Sequence, residues 1–193
     1  MRLLLFILLL FPCTVALSQQ AATHFSPRQI KSISLTTPGD QPASLTLQKQ
    51  LTVIVFLSPD CPLCKNYAPV LNKLKEDFDQ QVNFIGIIPG AAYTQNEITA
   101  YSDRYKLLFD LVVDKQKKLS KFLEASVTPE VLVIEQNGNL VYRGAIDDWV
   151  VNLGKKKLKA EHEYLRTAIQ QFLYHQPVMV QRTTPKGCYI NDY

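Results

Sequence analysis

Apolar positions along the chain fall into distinct regimes. From Leu3 to Leu17 they form an almost unbroken run, preceded by Arg2 and followed by Ser18-Gln19-Gln20. This run is shorter than the ~20 apolar residues a membrane-spanning helix requires. Its basic start, short apolar middle and Ala16-x-Ser18 ending predict a secretory signal over residues 1–18, cleaved after Ser18. The competing reading, an uncleaved anchor, needs more length than the run supplies. Residues 19–27 (QQAATHFSP) are polar and end on proline, and are expected as a loose leader.

From residue 28 to 176 the pattern alternates between two periods. Ile30, Ile33 and Leu35 predict a first strand, Thr37-Pro38-Gly39-Asp40 a turn, and Ala43 to Leu47 a short returning strand. Leu51 to Leu57 (LTVIVFL) is β-branched, aromatic and uncharged, as a central strand covered on both faces should be. Pro62 then opens a helix to about Phe78, with Leu63, Tyr67, Val70, Leu71, Leu74 and Phe78 at helical spacing. Val82 to Ile88 reads as a buried strand, Thr94 to Tyr105 as a helix, Leu107 to Val113 as a strand and Lys115 to Leu123 as a helix. Val131 to Glu135 and Leu140 to Tyr142 flank Asn137-Gly138, which predicts a hairpin with a tight mirror-image turn. Glu161 to Leu173 is a last amphipathic helix, with Tyr164, Leu165, Ala168, Ile169 and Phe172 on one side. Such alternation predicts an α/β fold: one domain over residues 28–176, a central mixed β-sheet with helices on both faces. Residues 177–193 form a C-terminal tail carrying Cys188.

A length of 193 residues suits one such domain with short extras, and 47% hydrophobic with 20% charged residues excludes a disordered, collagen-like or coiled-coil chain. Net charge +4 is too mild to point to nucleic acid. The four cysteines are too few for a disulfide-built scaffold. Removal of the signal takes away Cys13, which Pro12 already makes a poor lipid-attachment site, and leaves Cys61, Cys64 and Cys188. In an oxidising compartment an odd number leaves one thiol free, catalytic or shared with another molecule.

Ser58-Pro-Asp-Cys61-Pro-Leu-Cys64 lies where the central strand hands over to a helix. Two cysteines at this spacing on a helix start close a small-ring disulfide with little backbone movement. The first sits at the positive end of the helix dipole, which favours its thiolate. Pro62 at the first helical position gives up an N–H that would be unpaired there anyway. Cys-x-x-Cys is also half of a zinc site, but the histidines at 24, 162 and 175 are scattered and Cys188 stands alone, so no ligand set of suitable spacing is present and no metal is expected. An inert structural disulfide is the remaining alternative.

Cys61-Pro-Leu-Cys64-Lys65-Asn-Tyr-Ala68-Pro69-Val-Leu71 resembles the active-site segment of thioredoxins, down to the lysine after the second cysteine and the mid-helix proline. Val127-Thr128-Pro129, just before a strand, resembles the thioredoxin-fold loop that carries a cis-proline. The longer stretch from Asn83 to Asp114, including Phe109-Asp110-Leu-Val-Val-Asp114, is similar to the redoxin branch of that superfamily, which includes TlpA- and ResA-like periplasmic reductants and the AhpC/TSA-related peroxiredoxins. The ending, Thr184-Pro-Lys-Gly187-Cys188-Tyr-Ile190, resembles secreted redoxin-domain proteins that close in Gly-Cys-x-Ile. The resemblance spans residues 28 to 190. It implies a thioredoxin-like fold, catalytic Cys61 and Cys64, and substrate-backbone docking at Thr128 and Pro129.

The chain departs from the family at two places. Asp60 stands where thioredoxins carry tryptophan, and a carboxylate there should oppose the Cys61 thiolate. The buried strand acid of thioredoxin has no counterpart between Leu51 and Leu57. Peroxiredoxins place Thr or Ser three residues before their reactive cysteine, a slot Cys61 fills relative to Cys64. Arg143, the nearest candidate helper, is expected as a solvated strand-end arginine. Lys155-Lys-Lys157 with Lys159 is expected as a solvated loop, Asp147 and Asp148 as turn caps and Trp149 as a packing residue.

The expected function is a secreted, bacterial periplasmic thiol–disulfide oxidoreductase needing no cofactor. Its partners are a disulfide-containing protein or small-thiol substrate and a thiol electron donor, with no nucleic acid and no stable membrane span. Cys188 is a candidate auxiliary redox thiol or a route to a covalent dimer. The alternatives are a thiol peroxidase and a non-enzymatic module holding copper on thiolates.

Overall fold

A computed structural model of the 193-residue chain describes residues 23–152 and 154–190. The expected signal over 1–18, with Cys13, and residues 19–22 lie outside the described residues.

A seven-stranded sheet runs through the molecule in the order β2-β1-β5-β4-β3-β7-β8. Its members are β1 (Leu35–Thr36), β2 (Pro42–Ala43), β3 (Leu51–Phe56), β4 (Val82–Pro89), β5 (Asp110–Asp114), β7 (Glu130–Glu135) and β8 (Leu140–Gly144). β3, β4 and β5 are parallel, whereas β1, β7 and β8 join antiparallel, so the sheet is mixed as expected. All six residues of β3 are buried because side chains alternate between two cores. Leu51, Val53 and Val55 face α2 (Pro62–Phe78), α3 (Gln95–Tyr105) and α5 (Tyr164–Leu173). Ile54 and Phe56 face α1 (Pro27–Ser32) and α4 (Lys118–Phe122) through Ile30 and Leu119.

The predicted helices form, with Leu63, Tyr67, Leu71 and Leu74 buried on α2 as expected, whereas Val70, placed on the same face, is exposed. α3 begins at a capping box, in which Thr94 Oγ1 accepts from the Glu97 N–H and the Glu97 carboxylate accepts from the Thr94 N–H. α2 carries Pro69 in its interior, where one backbone donor is missing.

Three expectations are corrected. The segment around Ile30 is a helix, not a strand: Pro27 occupies the first turn, where a missing N–H costs nothing, and Ile30 is fully buried on the helix's inner side. The part of the leader that is described is tied down: Phe25 is buried, its N–H donates to the Gly138 carbonyl, and the Leu140 N–H donates to the Thr23 carbonyl. The β7–β8 hairpin lacks the mirror-image turn, because only Gly138 takes positive φ (101°) while Asn137 does not. The Gly138 N–H closes a turn on the Glu135 carbonyl, and the Glu135 N–H reaches the Asn139 carbonyl, giving a three-residue loop.

A fourth correction concerns Arg143 on β8, whose burial the hydrophobic pattern hides. It is 6% exposed, not solvated. Its guanidinium donates to Glu130 Oε1 at 3.0 Å and to the Glu124 carbonyl at 2.8 Å. Glu130, 2% exposed, in turn accepts from the Ser126 N–H and hydroxyl. The pair therefore fastens the loop before β6 (Val127–Thr128) to the sheet.

The tail runs back across the domain. The Arg143 N–H donates to the Gln181 carbonyl and the Thr183 N–H to the Arg143 carbonyl, both at 3.0 Å. Farther on, β11 (Cys188–Tyr189) pairs antiparallel with β6.

Arg143→Ala would strand the Glu130 carboxylate in the interior. Loss of one partner of a buried ion pair costs about 3–5 kcal/mol. Urea denaturation should show a loss of that size, and an unchanged midpoint would remove the structural role given to the pair.

Candidate active site

Strand β3 ends at Phe56, and the chain turns through Ser58-Pro59-Asp60 into α2. Cys61 is the residue that caps this helix: its carbonyl accepts the first helical bond, from the Lys65 N–H at 3.2 Å, and its own N–H donates to the Ser58 carbonyl. The Cys61 sulfur therefore sits over the unpaired N–H groups of the first turn. Cys64 lies one turn on, wholly buried, with the Ser58 N–H directed at its sulfur at 3.4 Å. Both are free thiols.

Across the sheet, β7 runs antiparallel to β3 with Glu130 opposite Phe56. That register carries the two residues before β7, Thr128 and Pro129, up to the cysteine loop. The Thr128–Pro129 peptide is cis. The Cys61 thiol contacts the Thr128 carbonyl at 3.1 Å. All four residues predicted for the site, Cys61, Cys64, Thr128 and Pro129, are thus brought together. Cys188 joins them from the tail, standing opposite Thr128 in the β11–β6 pairing.

The cysteines differ in acidity. Hydrogen bonding from the Cys64 thiol lowers the Cys61 pKa most; burial opposes it, and the Cys188 thiol and the backbone N–H groups of Cys64 and Cys188 lower it further. The balance places Cys61 far below an ordinary thiol. Burial raises Cys64 well above that range, and the charge on Cys61 raises it again. Cys188 is pushed up to about 12, by burial first and by Cys61 second. Asp60, expected to oppose the thiolate, is exposed. Donors gathered on one sulfur outweigh it.

Several residues around the site were not marked in the sequence. The Tyr93 hydroxyl bonds Ser58 Oγ at 2.7 Å, and the Tyr101 hydroxyl donates to the Cys64 carbonyl at 3.4 Å. A cavity of about 300 Å³ lies beside β11, lined by Ser58, Pro89, Tyr93, Thr128, Cys188 and Ile190. On the other side of α2, the Tyr67 hydroxyl donates to the buried Asp147 at 2.5 Å, while Trp149 packs edge-on against Tyr67. Glu130 had one readable signal, a charge placed immediately after the loop proline and before four apolar residues.

Arg143, the candidate peroxide helper, is committed to Glu130 and the Glu124 carbonyl. Among the described residues, Asp148, Glu161 and His162 are the three metal-capable side chains whose ligand atoms all lie within 4.8 Å of one another. Asp148 there already accepts from two backbone N–H groups and from Lys157. The lysines at 155 and 156 are exposed, but they form a short strand, β10 (Lys155–Lys156), paired with β9 (Val150–Asn152) and not the expected loop, and Lys157 pairs with Asp148 and Glu161.

A dithiol at a helix N-terminus, facing a cis-proline loop on the next strand, defines a thioredoxin-like redox protein. Residues 27–143 match the AhpC/TSA family, and the chain belongs to it. It is 22% identical over 113 residues to the thioredoxin-like protein YneN of Bacillus subtilis (strain 168), covering 58% of this chain and 66% of that protein. An uncharacterized conserved protein from Geobacillus kaustophilus superposes with a TM-score of 0.75 at 23% identity, over 89% of this chain and 92% of its own. A secreted Mycobacterium tuberculosis disulfide oxidoreductase homologous to E. coli DsbE superposes with a TM-score of 0.52 at 22% identity, over 60% of this chain and 84% of its own. These likenesses establish the thioredoxin-like fold. No helix among the described residues is long and apolar enough to cross a membrane.

The ultraviolet absorbance of thiolate, followed against pH in the reduced protein, should show one thiolate persisting well below the ordinary thiol value of about 8.5. Cys61→Ser should abolish it. Cys64→Ala should move it upward, because it removes the strongest donor. A single titration in the ordinary range would contradict this ordering.

Proposed function

We propose that the protein is an extracytoplasmic thiol–disulfide oxidoreductase working through Cys61 and Cys64, with residues 1–18 as its secretory signal and the bacterial periplasm as its compartment. The observation that carries this reading is the Cys61 sulfur, held at the start of α2 between the Cys64 thiol and the Thr128 carbonyl. The secreted oxidoreductase from M. tuberculosis shares this fold, which is consistent with the compartment.

In the reducing direction, the Cys61 thiolate attacks one sulfur of a substrate disulfide. A Cys61–substrate bond forms, the substrate bond breaks, and the departing thiolate takes a proton from water. The charge that raised the Cys64 pKa is now gone, so Cys64 loses its proton more readily. Its thiolate attacks Cys61, closing the Cys61–Cys64 bond and releasing the second substrate thiol. Two electrons pass to the substrate, and a thiol donor returns them. Thr128 and Pro129 offer the backbone edge along which an extended substrate segment lies. The same steps run backwards oxidise a dithiol.

A glutathione redox titration with alkylation mapping should find a reversible Cys61–Cys64 pair, and Cys61→Ser should abolish exchange with a disulfide peptide. A potential below about −200 mV assigns the reducing direction. Full activity in Cys61→Ser, or no Cys61–Cys64 bond under any poise, would sink the proposal. Catalytic consumption of hydrogen peroxide through a sulfenic acid on Cys61 would replace it with a peroxidase.

A further inference from the structure

The backbone edge assigned above to substrate is already occupied. β11 lies antiparallel along β6, with Cys188 opposite Thr128 and Tyr189 opposite Val127. The Thr128 hydroxyl donates to the Cys188 carbonyl at 3.4 Å, and the Ile190 N–H donates to the Ser126 carbonyl at 3.0 Å. Cys188 is placed where a substrate cysteine would stand, opposite Thr128, whose carbonyl contacts the Cys61 thiol at 3.1 Å, and its thiol and backbone N–H both act to lower the Cys61 pKa. With the strap in place Cys61 is 2% exposed. A nucleophile so covered cannot meet an outside disulfide until the strap leaves.

The strap is built for this position. A Cβ on Gly187 would collide with the Thr128 carbonyl and crowd the Pro129 nitrogen, so only glycine lets the chain cross the loop this closely. Upstream, the Thr183 hydroxyl bonds the Tyr142 hydroxyl at 2.6 Å and accepts from the Ala145 N–H at 2.9 Å. Downstream, Ile190 packs against the second core, while Tyr189 is 79% exposed. Two anchors thus hold a short bridge that carries one thiol over the nucleophile.

We infer that the Gly187–Ile190 strap is an internal substrate, in which Cys188 exchanges with Cys61 and which an external polypeptide must displace. This rests on the exchange reading above. From the Cys61–Cys64 disulfide, the Cys188 thiolate attacks the Cys61 sulfur. The Cys61–Cys188 bond forms as the Cys61–Cys64 bond breaks, and Cys64 leaves as a thiolate that takes up the proton Cys188 released. No net electrons move, and attack by Cys64 reverses the step. Burial does most to keep Cys188 protonated and the charge on Cys61 adds to it; oxidation of Cys61 removes that second contribution, which eases attack by the strap thiol once there is a disulfide to attack. The strap also specifies the outside substrate: an extended polypeptide with glycine directly before its reactive cysteine, since any other residue would carry a Cβ into Thr128.

The test uses the full chain with Cys64→Ser, treated when dilute with oxidised glutathione and mapped by mass spectrometry. The expected product is an intramolecular Cys61–Cys188 bond whose yield does not depend on protein concentration. Glutathione remaining on Cys61, or a Cys188–Cys188 dimer, would overturn the inference. In a second arm, Gly187→Ala, with folding confirmed by circular dichroism, should speed reduction of a disulfide peptide by about tenfold, because the rate scales with the fraction of molecules whose strap is open. An unchanged rate would count against masking. Wild-type exchange is read in parallel: active wild type without the Cys61–Cys188 bond rejects the strap alone, whereas inactive wild type with no Cys61–Cys64 bond rejects the exchange reading itself.

Discussion

The antiparallel register of β3 against β7 decides where the cysteine loop and the cis-proline loop fall. Phe56 opposite Glu130 fixes the end of one strand against the beginning of the other. The loop leaving β3 and the loop entering β7 must then meet, and these loops carry Cys61 and Thr128. A slip of one residue would turn each of the six buried side chains of β3 to the opposite core, where sizes matched to one face would meet the other. The geometry of the site is thus held by hydrophobic burial some distance from it.

Charge is handled by separation. The region behind the cis-proline loop contains a carboxylate and a guanidinium that neutralise each other, Glu130 with Arg143. The cysteine loop holds no such pair: its one carboxylate, Asp60, is exposed, and the Cys61 sulfur relies on thiol and N–H donors. Donors that need no counter-charge suit the alternation between thiolate and neutral disulfide proposed for Cys61, because the environment stays tolerable in both states. The absence of an acid between Leu51 and Leu57 is consistent with this division.

Much of the fold could be read from the chain because burial leaves a periodic mark. α2 begins at Pro62 and ends at Phe78, as the spacing of Leu63, Tyr67, Leu71 and Leu74 indicates, and β4 ends at Pro89. Short elements left no such mark. The helix at Pro27–Ser32 buries only Ile30, too little to show a period, and the single-residue pairing of β1 with β5 depends on contacts distant in sequence. The site was legible in part for a related reason. Cys61, Cys64, Thr128 and Pro129 stand in recognisable local strings, but the burial of Arg143 and the seating of Cys188 arise from segments far apart in the chain. No local pattern reports whether a charged side chain has a partner, and so Arg143 read as solvated.

The way both described ends of the chain attach to one hairpin has a consequence for the order of assembly. Thr23 and Phe25 bind at Leu140 and Gly138, and Gln181 and Thr183 bind along Arg143. Synthesis delivers the first of these contacts early and the last only when the chain is nearly complete. The dithiol at Cys61 and Cys64 therefore emerges well over a hundred residues before the strap that covers it. A nascent protein passes through a period in which its most acidic thiol is uncovered and its loop edge unpaired. An oxidant or thiol met in that interval reaches Cys61 without having to displace the strap.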